Sequence, residues 1–402
     1  MLLKRGLVAA RRAPVNIQGL RVSDDLDLVR GLAAIAVLIY HVRTRCFYDY
    51  ADVRNPDLLC KLFYGLTSFG HDAVVVFFVL SGYFVSASVL RDGAKGRWSW
   101  TRYAISRLTR LYLVLLPGLL LTLFWDHLGL WLFGSHPIYT GAAQSWISGT
   151  FSVAKYLGAG TFAANLLFLQ DVTAPTLGSN VALWSLSYEF WYYVMFPCAW
   201  FAMVWRTRWT KSIVGIAVFA AALWFVGKQI VLYFPIWLLG TAVCLLPLID
   251  RWKHAHRPWV TAAALALFGG VLCAVHTNMW KAQVGESQLA IDYALGISFA
   301  LVLYFLIHNQ SPAKDDRYAA LSRTAAGFSY TLYLTHMPLL VFVRAAWRPA
   351  SPWQPDLPHE ALAVALSVLC LVYAYVVSRL TEARTSSVRR FFMQRFAPTA
   401  RT

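Results

Sequence analysis

The chain has 402 residues, of which 58% are hydrophobic and only 14% are charged, and its mean hydropathy is +0.53. This composition excludes an ordinary soluble domain and predicts a protein that folds in lipid. The formal net charge of +17 would also fit a nucleic-acid-binding protein, but the basic residues lie between apolar stretches and form no patch, so we expect no nucleic-acid partner.

Ten apolar stretches of membrane-spanning length follow one another along the chain. Before the first of them, residues 1–25 form a basic segment that lacks the apolar core of a signal peptide. The stretches lie near residues 26–42, 62–90, 111–133, 182–205, 212–228, 231–249, 259–276, 289–307, 325–346 and 359–380. The sequence therefore predicts an all-α polytopic integral membrane bundle of about ten transmembrane helices over residues 26–380, followed by a basic tail over residues 381–402.

The connections between these stretches alternate in their content of Lys and Arg. One set of alternate connections, together with the two terminal segments, holds 27 of the 36 basic residues, and the opposite set holds the other 9. Lys and Arg concentrate on the cytoplasmic side of membrane proteins. Both termini are therefore predicted to be cytoplasmic.

Two connections have distinctive sequences. Residues 98–110, WSWTRYAISRLTR, interleave aromatic and basic side chains, which predicts a helix lying in the cytoplasmic interface. Residues 134–181 form the longest outer connection and are expected to cover the outer mouth as a partly ordered or re-entrant segment. Cys46 and Cys60 flank another outer loop, and two cysteines leave a disulfide and free thiols equally open.

The first predicted helix carries two ionisable side chains on one face. Arg30 and His41 are eleven residues apart, which is almost three helical turns, so both side chains point the same way. The rise between them is about 16 Å. Spacing alone supports two interpretations equally: a functional pair facing one pocket, or two anchors at the ends of a span.

Five short motifs then occur in one order. They are LDLVRGLAAIAVLIYH ending at His41, FFVLSGYF with Ser81, Gly82 and Tyr83, SRLTRLYL with Arg107 and Arg110, LWSLSYEFWYY with Glu189, and YTLYLTHMPL with His336. Together they resemble the motifs of the acyltransferase-3 family of bacterial integral membrane O-acyltransferases, in its stand-alone form. The resemblance covers nearly the whole chain.

The resemblance implies transfer of an acyl group, usually acetyl from acetyl-CoA, to a hydroxyl of a carbohydrate or related acceptor at the bacterial inner membrane. It implies that His41 is catalytic and that Arg30, Arg107 and Arg110 bind the acyl-CoA donor. Arg107 and Arg110 lie one turn apart and can present two guanidinium groups to phosphates. The competing explanation for these two arginines is the charge bias of cytoplasmic loops alone. No metal-ligand spacing occurs, so we expect no metal.

The remaining motif residues have open roles. Glu189 lies inside a predicted span, where it either orients His41, binds the acceptor hydroxyl, or belongs to a structural network with Ser185 and Tyr192 on its helical face. Gly82 is expected to allow close helix packing, while Ser81 and Tyr83 are candidates to line a cavity. His336 is either a second cavity residue or a hydrogen-bonded core histidine.

The expected partners are membrane lipid, acyl-CoA and a carbohydrate acceptor, and the sequence leaves a homo-oligomer open. Exopolysaccharide, O-antigen, a lipid-linked sugar, an oligosaccharide signal and a macrolide are all compatible acceptors. A rival hypothesis is a transporter or flippase for a glycan or lipid-linked precursor, in which the same ionisable residues would line a path. The absence of an internal sequence repeat disfavours that rival.

Overall fold

The computed structural model describes residues 17, 20–141, 153–204, 209–247, 258–276, 288–308, 316–347 and 351–397. The regular secondary structure of these ranges is helical, and pairing of extended segments within them is limited to isolated bridges such as Phe47 with Trp353. Lipid offers peptide groups no hydrogen-bond partner, so apolar stretches satisfy their backbone within helices. The predicted all-α class is confirmed. His254 and His256, to which the sequence assigns no role, lie outside the described residues.

A long helix occupies each of the ten predicted stretches. These helices are α1 (Arg21–Cys46), α2 (Gly70–Ala94), α3 (Trp100–Phe133), α4 (Trp184–Val204), α5 (Trp209–Phe225), α6 (Gly227–Leu245), α7 (Pro258–His276), α8 (Gln288–His308), α9 (Ser329–Ala346) and α10 (Leu357–Leu380). A further helix, α11 (Thr385–Phe396), lies in the predicted basic tail.

Six helical segments in the described ranges are long and apolar enough to cross a membrane. A seventh is obtained if α9 and the helix Asp316–Gly327, which are bent by 47° at their junction, form one span. Helix α1 is not among the six because it carries charged residues at both ends, from Arg21 to Arg45. The multi-pass architecture is therefore confirmed, while the count of ten spans and the cytoplasmic termini stay predictions.

Helix α3 differs from the sequence prediction in its length. Its 34 residues extend about 51 Å, well beyond the roughly 30 Å of a hydrocarbon core. The prediction of a separate interfacial helix over residues 98–110 is wrong, because α3 begins at Trp100 and runs without a break into the span. No helix-breaking residue separates the amphipathic part from the apolar part.

The residue contacts divide the chain into two compact units. The first unit comprises residues 1–27, 74–99 and 188–322, and in it α8 packs against α6 and α7. The second unit comprises residues 28–73, 100–187 and 323–402, and in it α9 packs against α3 and α10 while α11 packs against α3. The second unit contains His41, His336 and the three predicted donor-binding arginines.

The long connection after α3 is ordered around short helices, Pro137–Thr140 and Ala159–Leu166, in its described part. Its end is fastened to α3 by Asp126, whose two carboxylate oxygens accept hydrogen bonds from the backbone N–H and the hydroxyl of Ser179, each at 2.7 Å. Because all of these groups are buried, the bonds replace the water that the carboxylate loses.

Cys46 and Cys60 are both free thiols, so the structure has the second of the two alternatives and no disulfide joins them.

The residue after Ser179, Asn180, supplies a hydrogen bond that the backbone of α9 lacks. Pro338 has no N–H, so the carbonyl of Leu334, four residues earlier, loses its helical hydrogen bond. The side-chain amide of Asn180 donates to that carbonyl at 2.9 Å and to the hydroxyl of Thr122 at 3.0 Å. Asn180 therefore ties α3 to α9 beside His336.

Asn180→Ala should lower the free energy of unfolding by about 1–3 kcal/mol, because it leaves a buried carbonyl without a donor. Thermal unfolding in detergent measures the effect. Pro338→Ala restores the N–H to the helix, so in that background the cost of Asn180→Ala should shrink to the part contributed by Thr122. An unchanged cost in the two backgrounds would show that the Leu334 carbonyl is not what Asn180 satisfies.

Candidate active site

A pair of histidines joins α1 to α9. Nδ1 of His41 lies 2.9 Å from Nε2 of His336, within hydrogen-bonding distance. Nδ1 of His336 lies 2.7 Å from the carbonyl oxygen of Leu332, one turn earlier in α9. The His336 side chain is completely buried, whereas His41 is half-buried. His41 is therefore the member of the pair that a substrate can reach.

The hydrogen bonds of the pair define its tautomers. A carbonyl oxygen only accepts hydrogen bonds, so Nδ1 of His336 carries the proton that bonds to Leu332. When both rings are neutral, Nε2 of His336 is then an acceptor and Nδ1 of His41 is its donor. This leaves a lone pair on Nε2 of His41. That nitrogen is the one atom of the pair with both a free lone pair and access, which is what a general base or a nucleophile requires.

The carboxylate of Glu382 interacts electrostatically with two of the predicted donor-binding arginines. Glu382 accepts hydrogen bonds from the backbone N–H and the hydroxyl of Thr331, both at 2.9 Å and both to Oε2. The positive charges of Arg30 and Arg110 interact electrostatically with the same carboxylate. Thr331 lies in the first turn of α9, where a negative charge is favourable. Glu382 therefore connects the arginines to the start of the helix that carries His336.

The third arginine, Arg107, lies one turn before Arg110 on α3. Its guanidinium stacks over the ring of Tyr103 at 5.5 Å from the ring centre. Arg107 and Arg110 thus occupy neighbouring turns of one helix, and Arg110 and Arg30 both interact electrostatically with Glu382. A group of planar guanidinium forks in this arrangement is suited to phosphate groups.

Arg30 and His41 lie at different heights along α1. Arg30 and His41 share one face of the helix and are separated along it by about 16 Å. A ligand with a charged end and a reactive end on an extended arm matches this separation. CoA thioesters have this shape, with phosphates at one end and the thioester at the other.

Glu189 belongs to the first unit, where it takes part in a compact hydrogen-bond network. Its Oε1 accepts from the hydroxyl of Ser81 at 3.0 Å and from the hydroxyl of Tyr193. The indole N–H of Trp237 donates to the Ser81 oxygen at 3.2 Å. The network joins α2, α4 and α6, so each member has a structural role whatever else it does.

The partners predicted for Glu189 are wrong. Ser185 pairs instead with the hydroxyl of Tyr333 at 2.7 Å, and Tyr192 donates to the carbonyl of Ile230 at 2.7 Å. Helical spacing identified residues that share a face, but it cannot say which side chain on a neighbouring helix comes closer.

Gly82 and Tyr83, the two residues that follow Ser81 in α2, are both closely packed. A Cβ on Gly82 would collide with the backbone carbonyl of Trp237, so the close helix packing expected there is present. Tyr83 is only 2% exposed, and its ring lies beside that of Phe84.

Sequence reasoning missed Glu382. It lies two residues after the last predicted span, where a carboxylate carries no sequence mark of a buried site. The available signal was its chemistry: it is one of four glutamates in a chain with a strong excess of basic residues, so a carboxylate beside the basic tail has arginines as its expected partners.

Comparison with known proteins gives two matches. The sequence model of the family described as "Acyltransferase domain" matches residues 23–377. An O-acetyl transferase of Shigella phage Sf6 is 25% identical over 340 residues, which cover 79% of this chain and 84% of the phage protein. No solved structure matches the chain.

Proposed function

The chain belongs to the acyltransferase-3 family, whose model spans residues 23–377, and on this premise we propose that it moves an acetyl group from acetyl-CoA to a hydroxyl of a carbohydrate acceptor. It is an O-acyltransferase of the multi-pass membrane type. The observation that carries the proposal is the His41–His336 pair, which, when both rings are neutral, leaves a lone pair on Nε2 of the partly exposed His41. The similarity to an O-acetyl transferase supports acetyl as the group transferred.

The donor binds through Arg30, Arg107 and Arg110. Their guanidinium groups take the phosphates of CoA at the cytoplasmic end of α1, where Arg30 and Arg110 also interact electrostatically with Glu382. The thioester then extends along α1 toward His41. The about 16 Å between Arg30 and His41 is covered by the extended arm of the donor.

His41 performs the chemistry in one of two ways. As a general base, its Nε2 takes the proton of the acceptor hydroxyl while the oxygen attacks the thioester carbonyl. As an acyl carrier, the same Nε2 attacks first and passes the acyl group on. Mass spectrometry of protein incubated with acetyl-CoA without acceptor separates the two, since only the second route leaves an acetyl group on His41.

The acceptor is a surface or exported polysaccharide of a bacterium, and the enzyme works in the inner membrane. This assignment rests on the family and on the predicted orientation of α1, which points His41 away from the cytoplasm. A macrolide or another secondary metabolite is the alternative acceptor.

The function is tested with purified protein in nanodiscs. Acetyl-CoA is supplied, and release of the CoA thiol is measured with water and with extracted cell-envelope glycans as acceptors. Mass spectrometry of the glycans should show an added acetyl group only with intact protein. Glycan movement across vesicles without release of thiol would support the rival transporter and refute the proposal.

Arg107→Ala should raise the KM for acetyl-CoA by roughly 10-fold or more, as expected for the loss of a charge-assisted phosphate contact, and change kcat little. Initial-rate kinetics measure both constants. The matched control is Arg102→Ala, an exposed arginine on the same helix. Equal donor KM values for the two variants would assign Arg107 to charge topology and not to donor binding.

A further inference from the structure

Three arginines lie near the C-terminal end of α1, and two of them have evident structural partners. Arg344 donates to the carbonyl of Ser351 at 2.7 Å and stacks on Trp353. Arg43 lies over the rings of Tyr40 and Tyr64, at 5.4 and 5.2 Å from the ring centres. The first arrangement holds a loop and the second stabilises the helix end.

Arg45 is different. Its side chain is only 9% exposed, yet in the described part of the chain no hydrogen bond, salt bridge or ring contact to its guanidinium occurs. No Asp or Glu is among the charged groups that influence it. Its guanidinium nitrogens keep some accessible surface, but a cation that loses most of its hydration with no counter-charge nearby is still costly. A cation kept under those conditions points to a ligand that brings the missing negative charge.

The position of Arg45 beside His41 indicates which negative charge of the ligand it would meet. Arg45 is four residues after His41, so the two side chains lie on one face of α1 in successive turns. Helical side chains lean toward the N-terminus, which brings the Arg45 guanidinium back over the turn of His41. An electrostatic interaction links the two side chains. The negative charge expected beside His41 is the one that develops during acyl transfer.

We propose that Arg45 is a catalytic residue that stabilises the oxyanion formed on the thioester carbonyl, an inference that rests on the proposed function. Attack by the acceptor hydroxyl forms a C–O bond and moves the π electrons of the carbonyl onto its oxygen, while Nε2 of His41 takes the proton. The oxyanion lies against Arg45. Its collapse breaks the C–S bond, and the CoA thiolate leaves with the proton from His41. If His41 carries the acyl group, the same oxyanion forms in each of the two transfers.

The test compares matched substitutions in purified protein with acetyl-CoA as donor and water or envelope glycans as acceptor. Arg45→Gln should lower kcat by roughly 10²- to 10³-fold with the donor KM unchanged, because an oxyanion contact exists only in the transition state. Arg45→Lys keeps the charge and should retain part of the rate. Arg43→Lys makes the same change two residues away and should leave kcat within about threefold, as a residue that contacts no reacting atom.

Chemical rescue separates catalysis from folding. Millimolar guanidinium should restore part of the kcat of Arg45→Ala, which a merely structural arginine would not allow. A kcat for Arg45→Gln close to that of the wild type, a rise in acceptor KM alone, or the absence of rescue in a folded Arg45→Ala protein would each overturn the inference. Wild-type protein that releases no CoA thiol would refute the proposed function itself, so the two failures are distinguishable.

Discussion

Replacing His41 with alanine is expected to lower the kcat of acyl transfer by about 10²- to 10⁴-fold, the contribution usual for a positioned acid–base group. The substitution removes the accessible Nε2 and leaves the arginines in place. The KM for acetyl-CoA should therefore stay near its wild-type value. Release of CoA thiol and acetylation of envelope glycans measure the effect together.

The control is His127→Ala, because His127 is an exposed histidine of the second unit whose ring hydrogen-bonds to the carbonyl of Leu123 in its own helix turn. This variant should retain wild-type rates. His41→Gln replaces the imidazole with a polar side chain of similar size that has no basic nitrogen, so this variant should be as inactive as the alanine variant. Full transfer activity in a well-folded His41→Ala protein would remove His41 from the chemistry.

The sequence predicted the architecture well, and for a physical reason. Membrane insertion imposes long apolar stretches and a charge bias on alternate loops, so composition and order alone locate the helices. All ten stretches contain a helix, and the family resemblance of the five motifs is confirmed over residues 23–377. Only the fate of residues 98–110 was misjudged, since a continuous helix has no sequence mark that separates an interfacial part from a spanning part.

The site was only partly predictable. Spacing placed Arg30 and His41 on one face of α1, because both lie in one helix. The partners of these residues come from elements far away in sequence: His336 is 295 residues from His41, and Glu382 is still later in the chain. Nothing local specifies such pairs. The partners of Glu189 were misassigned for the same reason, since Ser81 is 108 residues away.

Arg45 shows the complementary case. Its spacing from His41 was visible in the sequence, yet a basic residue beyond the end of an apolar stretch normally has no meaning beyond solvation. Its burial without a partner among the described residues suggests a role in the site, and burial is a property of the packed structure that the sequence does not show. Local pattern therefore located the histidine that we propose is catalytic, and tertiary packing supplied the residues that we propose tune it.

His336→Phe is expected to lower kcat by roughly 10²- to 10³-fold, with the donor KM little changed. Phenylalanine fills the buried space but cannot accept the hydrogen bond from Nδ1 of His41, so the ring of His41 is free to take the other tautomer and orientation. Loss of the residue that orients a catalytic histidine costs about 10⁴ in serine hydrolases, which sets the scale. Steady-state kinetics on the purified variant measure both constants.

His336→Gln distinguishes orientation from packing. Its amide oxygen can accept the hydrogen bond from Nδ1 of His41 in place of Nε2 of His336, so Gln should recover a large part of the lost kcat, whereas Phe should not. Thermal unfolding must be compared for both variants, because each alters the bond to the Leu332 carbonyl. Equal kcat values for Gln and Phe would mean that His336 only fills space. Recovery by Gln at unchanged stability would mean that catalysis depends on which nitrogen of His41 holds the proton, and that the buried histidine decides it.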